Sequence, residues 1–168
     1  LALILAVIVV LGMVLSPVIV RGLAPGFMVS GDKLQLTVHL TRIMFPYVLL
    51  VGLVALSMGI LNALGHFTAP ALAPLALNIA MISAVWIGVW LAPTMALRIG
   101  ILAAGVVFGG VLQLGLQVPF LMRHGVRFWK TPPPESGALG RFGRSALPVL
   151  LGGATYQINV LLGTLLAS

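Results

Sequence analysis

Residues 36 to 67 read LTVHLTRIMFPYVLLVGLVALSMGILNALGHF, and this stretch decides the fold. From Ile43 to Leu61 it has no charged residue, which is about the length that a helix needs to cross the hydrocarbon of a bilayer. Arg42 stands at the edge of this run, and Pro46 follows one helical turn later. The proline has no N–H and its ring clashes with the carbonyl of residue 42, so we expect a kink and a freed carbonyl beside a cation. In lipid such a carbonyl needs another partner, so this turn should face protein or a water-filled cavity.

Composition places the chain among membrane proteins. Hydrophobic residues make up 61% of the chain and charged residues 7%, against roughly 25% charged residues in soluble domains. The few basic residues lie between apolar runs, so membrane topology explains the net charge of +7 and no nucleic-acid partner is expected. With no cysteine and three scattered histidines, we expect no disulfide, metal site or cofactor. The chain begins without methionine and ends inside an apolar run, which suggests a fragment of a longer protein.

Apolar periods and turn residues predict an all-α, polytopic transmembrane bundle of about five helices. The helices are expected at about 1–20, 34–64, 68–91 and 95–121, with a fifth from about 145. Thr68 is the expected N-cap of the third helix, and Trp86 and Trp90 suit an interfacial aromatic belt near its far end. We therefore divide the chain into four helices of one lobe (1–121), a basic, proline-rich loop (122–144) and the first helix of a second lobe (145–168).

Orientation follows from the basic residues in the loops. The loops after the first and third helices hold three of them: Arg21, Lys33 and Arg98. The loops after the second and fourth helices hold five: Arg123, Arg127, Lys130, Arg141 and Arg144. The positive-inside rule therefore predicts that the 122–144 loop is cytoplasmic, where it can also meet anionic membrane lipids.

Side chains that recur every four residues form one face of the fourth helix: Gly105, Gly109, Gln113 and Gln117. Two glycines allow close backbone approach, and two amides can hydrogen-bond across helices, so this face is interpreted as a packing seam. A substrate-lining role for the same face is the alternative.

No catalytic constellation is visible, so the chain is not expected to be an enzyme. The only acids, Asp32 and Glu135, lie in different loops on opposite predicted sides and cannot act as a pair. Walker A and dinucleotide-binding fingerprints are absent from the sequence, so ATP-driven transport would need another chain.

Arg42 is the strongest binding candidate, because ionisable residues at membrane depth usually face an interior or aqueous path and can bind anions such as a diphosphate. The alternative is an arginine that snorkels to the interface. His39 could share a site with Arg42 or could be solvated in the end turn. Asn62 and Asn78 are each candidates for a ligand or for interhelical contact.

Two polar residues of the predicted fifth helix complete the set of candidates. Gln157 and Asn159 can present carbonyl oxygens to a substrate or cation, but no carboxylate stands near them in this stretch. A sodium or proton site built from these two residues would therefore be incomplete.

Two segments resemble a known family: RIMFPYVLL at 42–50 and GILNALGHFTAPALAPLALNI at 59–79. They closely resemble the MurJ (MviN) family, lipid II flippases of the MOP exporter superfamily. The residues that carry the resemblance are Arg42, Phe45, Pro46, Tyr47, Asn62, Pro70, Pro74 and Asn78. The later ALPVLLGGATYQINVLLGTLLAS is similar to the helix that opens the family's second lobe, so the chain would correspond to about the third to the seventh of fourteen helices.

The resemblance implies a multi-pass protein of the bacterial cytoplasmic (inner) membrane, with two lobes around a cavity that opens alternately to each side. Its implied substrate is the undecaprenyl-diphosphate-linked peptidoglycan precursor, moved outward with sodium or the membrane potential as coupling force. The family's main arginines and acidic residue for lipid II lie in its first two helices and the eighth, which this chain lacks. The helix-seven carboxylate of some members' sodium site is also absent. The alternatives are a MOP-type exporter of drugs or polysaccharide-linked lipids and a structural membrane scaffold.

Overall fold

The computed structural model describes residues 2–23, 31–126, 157, 159 and 160, and these residues are helical apart from short turns. The helices are α1 (Ala2–Leu23), α2 (Gly31–Ala63), α3 (Thr68–Leu91) and α4 (Met95–Arg123). All four are long and apolar enough to cross a membrane, which confirms the predicted polytopic α-helical bundle. The basic loop and most of the expected fifth helix lie outside the described residues, where the second of two compact units (127–168) begins.

The helices extend further than the apolar runs at several ends. α1 continues past Arg21 to Leu23, and α2 begins at Gly31 with Asp32 in its first turn. Hydropathy marks the part of a helix that lies in hydrocarbon, whereas backbone hydrogen bonding continues into the interface. The carboxylate of Asp32 also suits the positive end of the helix dipole. The 33 residues of α2 run without interruption through Pro46, and at 1.5 Å per residue they exceed the bilayer's hydrocarbon thickness.

α1 and α2 form an antiparallel hairpin that packs through small residues. The ring of Phe45 covers Gly12, and Leu5 Cδ1 lies 2.6 Å from the position that a Cβ on Gly52 would occupy. The buried face of α1 repeats at helical spacing through Val9, Gly12, Ser16 and Val20. Among the described helices α1 contacts only α2, so α2 alone among them determines the position of α1.

α4 packs against α3 along the predicted seam. A Cβ added to Gly109 would lie 2.6 Å from Leu77 Cδ1 and 3.3 Å from Leu77 Cα, and Gly105 similarly faces Ala84. Because side-chain and backbone atoms both stand at the glycine, the two helices approach closely. The packing interpretation is confirmed for Gly105 and Gly109. Gln113 and Gln117, further along the same face, are buried, but Gln113 Oε1 and both polar atoms of Gln117 have no hydrogen-bond partner among the described residues, so the expected amide bonds across helices are not seen there.

α2 and α4 run parallel and end in the same C-terminal motif. The N–H of His66 donates to Leu61 O at 2.8 Å, and the N–H of Val126 donates to Leu121 O at 3.1 Å. The residues preceding these donors are glycines with positive φ: Gly65 at 74° and Gly125 at 76°. This is the Schellman arrangement. Leu61 and Leu121, the accepting residues, are fully buried in one cluster, so the two helix ends meet at the same level.

The predicted N-cap of α3 is wrong. Thr68 is already helical, the capping position is Phe67, and no side chain caps this end. Phe67 has helical backbone angles of −99° and −17°, so its carbonyl accepts from Ala71 N–H at 3.0 Å and the helix starts one residue early. α4 has the side-chain cap instead, since Thr94 Oγ1 accepts from Leu97 N–H at 3.4 Å.

Candidate functional site

A cavity of about 590 Å³ opens between the end of α1 and the first half of α2. Its lining is Pro17, Arg21, Leu34, Gln35, Leu36, Val38, His39 and Arg42. The hairpin creates this site because the last turn of the first helix must face the first turns of the second. Arg42 and His39, which the sequence suggested could share a site, therefore line one cavity.

Arg42 is held in place by a carbonyl that a proline frees. Pro17 has no N–H to donate to Met13 O, four residues earlier. Arg42 Nε lies 3.3 Å from that oxygen and 3.0 Å from Ser16 Oγ, and Ser16 Oγ itself donates to Met13 O at 2.9 Å. The sequence associated Arg42 with the carbonyl freed by Pro46 in its own helix. In the structure, Arg42 instead contacts the corresponding carbonyl of the neighbouring helix α1, that of Met13.

The anchoring uses only one of the guanidinium nitrogens. Within the described part of the chain, Nη1 and Nη2 of Arg42 have no hydrogen-bond partner, and the residue as a whole is exposed. An arginine fixed through Nε presents these two nitrogens as a preset pair of donors. That geometry suits a phosphate or carboxylate group.

The cavity is cationic. Arg21 and Arg42 both line it, and no acidic residue does. Asp32, the acid that the structure describes, lies exposed in the first turn of α2 and forms no ion pair there. Leu34, Leu36 and Val38 add an apolar wall. The site can therefore hold an anionic group beside an apolar one.

Arg21 was not among the residues selected from the sequence, which placed it in an exit loop. The signal was available, however. Only seven residues separate α1 from α2, so a basic residue in the last turn of α1 must lie near the first turns of α2. That argument would have added Arg21 to the site.

The remaining candidates are not among the residues that line this cavity. Asn78 is exposed on α3 and Asn62 is exposed near the end of α2, and neither lines the cavity. Gln157 and Asn159 are helical and exposed, within the second unit. Within the first unit, the structure thus brings Arg42 and His39 together but not Asn78.

Fold and cavity together define a class: a polytopic α-helical membrane protein with a cationic site at the end of a transmembrane hairpin. The family model described as "Lipid II flippase MurJ" matches residues 1–168. The chain belongs to the MurJ lipid II flippase family, as its segments at 42–50 and 59–79 suggested.

Curated relatives carry the same name. A probable lipid II flippase MurJ from Rhizobium tropici is 35% identical over 153 residues, which cover 90% of this chain and 29% of the relative. One from Buchnera aphidicola subsp. Acyrthosiphon pisum (strain APS) is 35% identical over 159 residues, covering 95% and 30%. The lipid II flippase MurJ of Burkholderia cenocepacia is 40% identical over 119 residues, covering 71% and 22%. The chain thus spans less than a third of the length of these relatives.

Proposed function

We propose that the full-length protein carries lipid II, the undecaprenyl-diphosphate-linked peptidoglycan precursor, outward across the bacterial cytoplasmic (inner) membrane by alternating access. The observation that carries this proposal is the acid-free cationic cavity lined by Arg21 and Arg42. Family membership adds support, because the relatives are named as lipid II flippases. The protein would act in cell-wall synthesis as a transporter and not as an enzyme.

The cavity is proposed to contact the diphosphate. Arg42 would donate from Nη1 and Nη2 while Nε keeps its bonds to α1, and Arg21 would add a second positive charge. His39 and Gln35 offer further hydrogen-bonding groups in the same lining. The apolar wall suits the first part of a lipid tail. A transporter of cationic drugs would need acidic residues instead, so the lining favours a phosphorylated lipid over that alternative.

The proposed orientation indicates at which step of the transport cycle the cavity would bind the diphosphate. If the 122–144 loop is cytoplasmic, the end of α1 and the start of α2 lie toward the outer face. Arg21 and Arg42 would then hold the diphosphate after the central cavity has opened outward. Residues 1–121 would supply four helices of one lobe, although α4 itself continues to Arg123, and residues 145–168 would begin the other.

The other candidates and the coupling force are part of the proposal. Three further polar residues would contact the sugar and peptide head of the substrate during the transport cycle: Asn78, Gln157 and Asn159. Sodium or the membrane potential would drive transport. Gln157 and Asn159 would need a carboxylate from elsewhere in the protein to complete a sodium site.

The test is transport by the full-length protein with both cavity arginines removed. Arg21→Ala/Arg42→Ala should abolish complementation of a strain depleted of its flippase, and should reduce lipid II translocation at matched membrane abundance. Lys33→Ala is the control, because it removes one positive charge from the same end of α2 without lining the cavity. Normal transport by the double variant would contradict the proposed site.

A further inference from the structure

Two glutamines of α4 are buried without hydrogen-bond partners. Gln117 is 0% exposed and Gln113 is 6% exposed. Gln113 Oε1 and both polar atoms of Gln117 have no partner among the described residues. A buried polar atom without a hydrogen bond costs about 1–3 kcal/mol, and hydrocarbon surroundings offer no substitute. Three such atoms on adjacent turns of one helix therefore point to a ligand.

The register of α2 and α4 locates these amides. Leu50 Cβ lies 3.1 Å from the position of a Cβ on Gly110, and Leu61 shares a buried cluster with Leu121. Both pairs differ by 60 in number and the helices are parallel, so Ser57 is level with Gln117. Ser57 is 3% exposed and adds a hydroxyl to this level. A buried hydroxyl of α2 thus lies at the same level as the buried amides of α4.

The burial limits the size of the ligand. Gln117 is fully buried within this chain, so a large group could reach its amide only by separating packed helices. The ligand must fit between α2, α3 and α4 without separating them. It must therefore be small.

The unpaired amide atoms of Gln113 and Gln117 also define the chemistry of the ligand. Gln117 leaves a donor (Nε2) and an acceptor (Oε1) unpaired, and Gln113 leaves an acceptor. A metal cation would satisfy oxygens but not the N–H groups, and no carboxylate lines this part of the described bundle. A water molecule donates and accepts, and a buried water typically makes about three hydrogen bonds. The two amides and the Ser57 hydroxyl together offer the hydrogen-bond donors and acceptors that such a water needs.

We propose that Gln113 and Gln117, with Ser57, form an internal water-binding site between α2 and α4. The site lies about 9 Å before the end of α4, at six residues from Arg123 and 1.5 Å per residue. This inference concerns the α2–α4 interface and does not depend on the proposed transport activity.

The direct test is a structure of the full-length protein in lipid nanodiscs, at a resolution that shows ordered water. We expect density about 3 Å from Gln117 and Gln113, level with Ser57. In Gln117→Met, which keeps the side-chain length but removes both polar atoms, that density should be lost. Leu112→Met, an exposed position on the same helix, is the control and should keep it. Amides that bond only to protein groups, with no water between them, would overturn the proposal.

A second measurement separates water from a cation and needs no variant that folds poorly. The melting temperature of the full-length protein is compared in sodium, potassium and choline chloride at equal ionic strength. If the ligand is water, the melting temperature should show no cation-specific rise that is lost in Gln117→Met or in the milder Gln113→Met. A sodium- or potassium-specific rise that disappears in either glutamine variant would identify a cation site and refute the water site.

Discussion

Arg42 combines a structural contact with an open pair of donors. Its Nε–H is shared between Ser16 Oγ and the Met13 carbonyl, which Pro17 deprives of an N–H donor and to which Ser16 Oγ also donates, and its Nη atoms stay free in the described part of the chain. The alternative, an arginine that snorkels to the interface, accounts for its exposure but not for this fixed geometry. A lysine has no equivalent, because one ammonium group cannot be anchored to α1 and also present a planar pair of donors.

The first prediction concerns the charge and shape of Arg42. Charge-assisted hydrogen bonds contribute about 1.5–3 kcal/mol, so Arg42→Ala should lower transport by about tenfold to a hundredfold at matched abundance. Arg42→Lys should resemble the alanine variant if the two-nitrogen contact to a phosphate is required. Translocation of lipid II by the full-length protein measures both. Full activity of Arg42→Ala would reduce this arginine to an interfacial anchor.

A double-mutant cycle tests the structural contact separately. Pro17→Ala restores an N–H that can donate to Met13 O, so Arg42 is no longer needed there. Arg42→Ala should lower the melting temperature of the parent protein, and should lower it less in the Pro17→Ala background. Equal shifts in both backgrounds would show that Arg42 does not support the α1 carbonyl.

The sequence identified Arg42 and His39 as candidates but not the groups that Arg42 contacts. A proline frees a carbonyl four residues earlier by local geometry, so the sequence shows that both Pro17 and Pro46 do so. Which cation then approaches which carbonyl depends on the packing of α1 on α2. Periodicity in a single chain does not contain that contact, and this is why the approach of Arg42 to the carbonyl freed by Pro17 could not be predicted.

At the scale of helices, close packing of α3 on α4 depends on Gly109. Gly109→Leu would place atoms against Leu77, whose Cα is already 3.3 Å from the Cβ position, and overpacking typically costs about 1–3 kcal/mol. We expect less folded full-length protein and a lower melting temperature. Gly115→Leu is the matched control, because nothing lies within 4 Å of its Cβ position on the same helix. Unchanged stability of Gly109→Leu would contradict the seam.

The positions of the helices were predictable because apolar length and turn residues are local properties. α3 was predicted at about 68–91 and found at Thr68–Leu91. The ends of α1 and α2 were less predictable, since charged residues such as Arg21 and Lys33 can continue a helix at the membrane surface. Four successive crossings make α2 and α4 parallel in direction, but their packing on each other and their shared level at Leu61 and Leu121 required the coordinates.

At the scale of the whole protein, the described helices leave much of the apolar surface of α1 uncovered. α1 contacts only α2 within the described region, and much of its apolar surface is exposed, with Leu3 at 80%. The curated relatives are about three times as long as this chain. In the proposed transporter, α1 would therefore pack against segments outside this chain, and the cationic cavity would open toward a path that they help to form.

The orientation of that path is the last prediction, and it rests on five basic residues opposing three. The chain has no cysteine, so single cysteines can report each side once the rest of the full-length protein is cysteine-free. Ser30→Cys, between α1 and α2, should react in intact cells with a maleimide that does not cross the cytoplasmic membrane. Ser136→Cys, beside the proline run, should react only after that membrane is permeabilised, because the positive-inside rule holds its loop in the cytoplasm. Neither substitution alters the charge that sets the orientation. Reversed labelling would place Arg21 and Arg42 at the cytoplasmic face, where they would meet the diphosphate on entry and not before release.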